Sequence, residues 1–166
     1  PSIRWAAYAR RDVEVVVEEP IASGALATER IMIRPSPLQA QYLPDVRWAD
    51  SAPAMLQTLL LRSLSETGAL GSVGRRPIGT VGDYTVLSEL TDFQAESAAD
   101  GGALIRIRLM LRVVREDEAR VVANRTFSVT EPAAGTSSGA IVVAFDRAVA
   151  RLLSDAVPWI VGRTRS

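Results

Sequence analysis

Neither cysteine nor histidine occurs among the 166 residues, and all 19 basic residues are arginine. These absences remove much of the catalytic vocabulary: Cys-His and Ser-His-Asp constellations cannot be assembled, and an ordinary zinc site has no ligands. Disulfides are neither present nor needed, so cysteine usage leaves the redox compartment open. The formal net charge is +0, so no global field draws the chain to nucleic acid or to an anionic membrane. No run approaches the roughly 18 to 20 consecutive apolar residues that span a bilayer. The chain opens on Pro1-Ser2 with no methionine, which fits either a processed protein or a trimmed chain, so any signal peptide or lipid-attachment cysteine would be out of view.

What is present suits one domain over 1–166, since 48% hydrophobic and 23% charged residues can build a sizeable core. Residues 1–11 carry Trp5 and Tyr8 without a period and read as a terminal segment, docked or loose. The best-punctuated element is a helix after residue 50. Asp50 or Ser51 can cap it, Pro53 is tolerated in its first turn, and Gly68 can take the left-handed conformation that ends it. Met55, Leu56, Leu59, Leu60 and Leu64 form its apolar stripe, with Gln57, Arg62 and Glu66 on the other side.

Alternation predicts strands over 12–19 and 29–34, followed by an irregular or partly extended crossing over 38–50. The glycine-rich 68–83 stretch has room for one short strand near 70–73. Without a Gly-Lys-Ser/Thr ending, and following a helix when it should precede one, it reads as turns and not as a phosphate loop. A long strand over 84–96 changes its apolar face from Val86 and Leu90 to Leu87 and Phe93, which calls for a bulge near Glu89. Asp100-Gly101-Gly102 supplies a hairpin turn into a strand over 105–113, and a polar turn at 116–118 leads to a third strand over 120–130. A final helix over 138–161 should kink or stop a turn early at Pro158. The expected fold is α+β: a mixed, largely antiparallel sheet containing a three-strand meander, with two long helices packed on one face.

Three groups of residues are candidate sites. Arg106, Arg108 and Arg112 share one strand face and offer guanidinium forks to anions, although pairing with Glu89, Asp92 or Glu96 is the plainer use of that face. The carboxylates Asp83, Glu89, Asp92 and Glu96 meet the spacing of a glycosidase pair, but no neighbouring apolar pocket would raise one pKa. Tyr42, Trp48 and Trp159 sit at loops and helix ends in a chain with only 5% aromatics, so they are candidates for a lipid or partner groove between the helices. A Trp beside a helix start also serves as a staple on the first turn.

Taken together, Glu29-Arg30-Ile31-Met32-Ile33-Arg34, Tyr42 with Arg47-Trp48-Ala49-Asp50, and Tyr84 to Glu96 resemble the ABC-type transport auxiliary lipoprotein family. This is the outer-membrane lipoprotein component that accompanies mammalian-cell-entry-type lipid transporters. The resemblance extends over roughly 12–161 and includes Phe145-Asp146 in the closing helix. It carries over Tyr42, Trp48 and Asp50 as pattern residues and implies no catalytic motif, cofactor or metal. It implies a non-enzymatic, periplasmic component of a Gram-negative bacterium, held at the outer membrane by an N-terminal lipid anchor upstream of Pro1. A periplasmic substrate-binding subunit of the transporter is the expected partner, a lipid the further expected ligand, and a homo-oligomer is compatible with it. The competing readings are a structural adaptor of envelope assembly that never touches lipid, and a carboxylate-dependent hydrolase.

Overall fold

The computed structural model describes residues 3–166; residues 1 and 2 of the terminal segment lie outside the described residues. In chain order its elements are β1 (Arg11–Val17), β2 (Ile21–Ala22), β3 (Arg30–Arg34), β4 (Gln41–Arg47), α1 (Ala52–Glu66), β5 (Leu70–Gly74), β6 (Tyr84–Ser97), β7 (Ala103–Arg115), β8 (Arg120–Pro132) and α2 (Ser138–Arg163).

All eight strands join one mixed sheet organised by β6. One edge of β6 pairs antiparallel with β7 along its length, and β7 pairs antiparallel with β8, which completes the meander. The other edge takes three short parallel strands in succession: β1 at Val15–Val17, β2 at Ile21–Ala22 and β3 at Met32–Arg34. Residues 11–34 thus run along β6 as one broken path. Pro20, which has no N-H to give a ladder, stands at its first break. Beyond this path the sheet forks, with β5 parallel on β1 and β4 antiparallel on β3. The longest ladders are therefore antiparallel, and the parallel pairs are confined to one side.

One face of this sheet is buried. Val86, Leu90 and Phe93 of β6 meet Ile105, Ile107, Leu109, Leu111 and Val113 of β7 there, and both helices pack on it. The bulge that the sequence calls for near Glu89 falls two residues later: Leu90 opposes Leu109 and Asp92 opposes Arg108, leaving Thr91 as the extra residue. Ser51 caps α1 by accepting the Ala54 N-H at 3.4 Å, and Gly68 ends it at φ 68°. Gly101 takes φ 84° in the β6–β7 turn.

The structure departs from the sequence reading in several further places. Residues 41–47 of the expected irregular or partly extended crossing form a full strand, β4, where Pro44 does no harm because the strand lies at the sheet's edge. Gln57, assigned to the polar side of α1, is buried, and its Nε2 donates to the Val17 carbonyl at 2.9 Å where β1 ends. Pro158 does not end α2, which runs on to Arg163. Val157, Ile160 and Val161 are buried on either side of the proline, and Arg11 Nη2 donates to Val161 O at 2.8 Å and to Thr164 O at 3.0 Å. Burial and a cationic cap hold the last turns against the roughly 3 kcal/mol that a helical proline costs. The terminal segment is docked: Ile3, Trp5 and Tyr8 pack against the core, and Trp5 Nε1 donates to Glu66 at 3.4 Å. Among the described residues, no helix is long and apolar enough to cross a membrane.

A second set of arginines fastens α2 to β8. Arg147 and Arg151 both reach Glu131, at 3.1 and 2.9 Å, and also donate to the Pro132 and Thr130 carbonyls. Hydrogen bonds from Arg151 and then Arg147 lower the pKa of the Glu131 carboxyl below its ordinary value.

Two outcomes follow for stability. Arg11→Met should lower unfolding free energy by about 2 kcal/mol, the scale of hydrogen bonds from a charged donor, in urea denaturation; an unmoved midpoint would show that the α2 terminus holds without its cap. Because the folded pKa of Glu131 is depressed, its contribution is complete above the usual glutamate range and lost as pH falls through the folded value. Glu131→Gln should thus lose up to about 1 kcal/mol at neutral pH. The gap to wild type should close on acidification, and a gap that stays constant would remove Glu131 from the acid response.

Candidate functional site

Both helices carry more apolar surface than the sheet can cover. On α1, Leu56, Leu60 and Leu64 are buried, whereas Met55 and Leu59, from the same stripe, are only half-buried. On α2, Ala144, Phe145, Ala148 and Leu152 are buried, and Val142 and Val149 remain half-buried. The surplus side chains face one another across a shallow apolar cleft of about 140 Å³ between the helices. Trp48, the first residue of the β4–α1 connection, lies in it. Its ring meets Phe145 edge-on at 4.9 Å and Phe93 at 5.5 Å, and its backbone N-H donates to Glu29 O at 2.7 Å. Phe93 and Phe145 are themselves 5.1 Å apart, so three aromatics from β6, α2 and the connection form the floor. Asp146 is the one charged residue at the rim.

Of the three aromatics that the sequence assigns to a groove, only Trp48 is there. Tyr42 projects from β4, where its hydroxyl donates to Ala25 O at 3.2 Å and the Arg30 guanidinium covers its ring at 4.5 Å. Trp159 lies roughly 21 Å further along α2 than Phe145 at 1.5 Å per residue; it packs edge-on against Phe127 of β8, 5.6 Å away. The cleft residues that the sequence reading did not group as a site, Met55, Leu59, Val142 and Val149, carry a signal all the same. Each helix has an apolar stripe wider than one packing face requires.

The three arginines share one strand face, but they differ in their partners. Arg106, Arg108 and Arg112 all point away from the helices on β7. Arg106 Nε is tied to Glu96 at 3.0 Å, while Arg108 and Arg112 are exposed and enter no ion pair among the described residues. The carboxylates are likewise dispersed: Asp83 accepts the Glu14 N-H at 2.8 Å and Glu89 is exposed, but Asp92 and Glu96 line one polar cleft. Burial raises the Glu96 pKa, but hydrogen bonds from Gln94 and Arg106, with the charges of Arg106 and Arg34, outweigh it and hold the group below its ordinary value. That is the reverse of what a proton donor for glycoside cleavage requires.

Comparison with known proteins bears on this arrangement. A family model described as the ABC-type transport auxiliary lipoprotein component matches residues 4–157. Protein bll6063 of Bradyrhizobium diazoefficiens is 30% identical over 154 residues, which is 89% of this chain; the match spans only 39% of that relative's length. The crystal structure of protein XCC0632 from Xanthomonas campestris superposes with a TM-score of 0.88 at 26% identity, covering 98% of this chain and 94% of that one. Protein CT253 of Chlamydia trachomatis shares the fold alone, with a TM-score of 0.65 at 10% identity over 93% of this chain and 98% of its own.

Trp48 is half-buried, so Trp48→Ala should cost about 2 kcal/mol, below the roughly 3 to 5 kcal/mol of a fully buried Trp. Trp48→Phe should recover most of that loss through the edge contacts to Phe93 and Phe145. Urea midpoints of the two variants check this, and equal midpoints would show that the ring is not anchored.

Proposed function

The chain belongs to the family of ABC-type transport auxiliary lipoprotein components, and from that premise we propose that it acts by binding and not by catalysis, as the auxiliary component of a lipid transport system. In this reading it works in the periplasm, anchored to the outer membrane by an upstream lipid, and docks the periplasmic substrate-binding subunit of a mammalian-cell-entry-type transporter. Membership of a lipoprotein family fits a location in the bacterial envelope.

The observation that carries the reading is the interhelical cleft. Half-buried apolar side chains from both helices converge on a packed aromatic floor, and aromatic anchors in desolvated pockets supply most of the energy in protein interfaces. At about 140 Å³ the cleft is too small to enclose an acyl chain, so it suits an inserted side chain of a partner protein. Support for a hydrolase is lacking, because the Asp92 and Glu96 carboxylates of the outer polar cleft are cross-linked by the Gln94 amide, and Glu96 is held ionised.

Leu59→Arg and Val142→Arg test the proposal, since both positions are half-buried at the surface and tolerate charge better than the core. Each should weaken capture of the transporter's substrate-binding subunit at least tenfold in a surface-plasmon titration, with the unfolding midpoint shifted by less than about 1 kcal/mol. Unchanged affinity in both variants would sink the cleft as the docking site.

A further inference from the structure

The sheet face away from the helices holds a second cleft, about 440 Å³ in volume, which is within the range of small-molecule sites. It is built by two features of the chain. The bulge at Thr91 shifts the phase of β6, so that Asp92, Gln94 and Glu96 all project onto this outer face. The Pro35-Ser36-Pro37 turn after β3 then folds beside them as a stiff rim.

The floor is locked. Gln94 is 1% exposed: its Oε1 accepts the Phe93 N-H at 2.7 Å, and its Nε2 donates to Asp92 at 3.0 Å and to Glu96 at 2.9 Å. One amide therefore sets the positions of both carboxylates. Glu96 is further held by Arg106, which uses Nε alone, so the two Nη groups of Arg106 keep their donors. Arg34 enters no ion pair among the described residues; Nη1 donates to Pro37 O at 3.3 Å, and Nε is buried without a hydrogen-bond partner. Asp92 receives the Gln94 amide and is likewise in no ion pair.

Along the strands the cleft thus presents two guanidinium groups with unused donors beside Glu96 and, toward its other end, the Asp92 carboxylate, which stands opposite Arg108 on β7 yet is in no ion pair among the described residues. An isolated anion is opposed by Asp92 and Glu96, and an isolated cation by the arginines. A ligand carrying both charges satisfies both ends. We propose that this cleft binds a zwitterion bearing a phosphate and an ammonium group, with the phosphate on Arg34 and Arg106 and the ammonium on Asp92. Phosphate fits better than carboxylate because two planar forks supply several donors at once. Leu38, next after the rim, is 98% exposed. An uncovered leucine beside a polar cleft suits contact with a lipid surface that offers such headgroups. The site lies across the sheet from the interhelical cleft and stands or falls independently of it.

Glycerophosphoethanolamine is the probe, titrated by calorimetry and followed by amide chemical shifts, against inorganic phosphate and ethanolamine. Saturable binding is expected, at least tenfold tighter than either control, and reduced at least tenfold by Arg34→Gln and by Asp92→Asn. Neither position is in the core, and circular dichroism checks that each variant is folded. The absence of saturable binding, its survival in both folded variants, or equal binding of inorganic phosphate would each overturn the proposal. Co-sedimentation with phosphatidylethanolamine vesicles identifies the source. If Leu38→Ser loses the vesicles and keeps the soluble probe, the zwitterion is a lipid headgroup. If wild type binds the soluble probe and ignores vesicles, the ligand is a free zwitterion.

Discussion

The two unlike edges of β6 are the constraint from which the rest of the molecule follows. One edge is an antiparallel ladder, interrupted by the bulge at Thr91, which fixes the register of β7 and through it β8. The other is shared among three short parallel strands, none long enough to cover it. A chain segment that pairs in pieces leaves a fork in the sheet, and α1 closes that fork by crossing from the end of β4 to the start of β5. Its 15 residues span about 22 Å. Loss of the β6 register would reverse every side chain between the faces.

The bulge at Thr91 extends that constraint to both candidate sites. Without it, the alternation that points Leu90 at the helices would send Phe93 to the opposite face. With it, Phe93 joins Trp48 and Phe145 under the interhelical cleft, while Asp92, Gln94 and Glu96 line the polar cleft on the other side. One inserted residue therefore serves an apolar site and a polar one through the same change of phase.

Polar contacts fasten α2 at its start, middle and end. Arg11 closes the C-terminus of α2 against β1, the Glu131 cluster ties its middle to the edge strand β8, and Ser138 donates to Asp45 of β4 at 2.7 Å near its start. Arginine suits these positions because one planar fork can serve a carboxylate and a backbone carbonyl together, as Arg147 and Arg151 do. Such pinning lets the helix faces beside the cleft stay half-exposed without loosening the fold.

Local pattern alone determined the elements: the period-2 runs of β1, β6, β7 and β8, the capped stripe of α1, the glycines at positive φ, and the need for a bulge in β6 were all legible, because each rests on residues close in the chain. So was the family, through short motifs in a fixed order. Tertiary structure decided what depends on distant partners. Residues 41–47 are a strand because β3 offers an edge, Gln57 is buried because the Val17 carbonyl needs a donor, and α2 passes Pro158 because Arg11 and the core hold its last turns. It also separated Tyr42, Trp48 and Trp159, which composition had grouped as one aromatic set, and left only Trp48 in the cleft. Periodicity tells which residues share a face of an element; which faces meet, and which part of a stripe is left uncovered, is set by the packing of whole elements against one another.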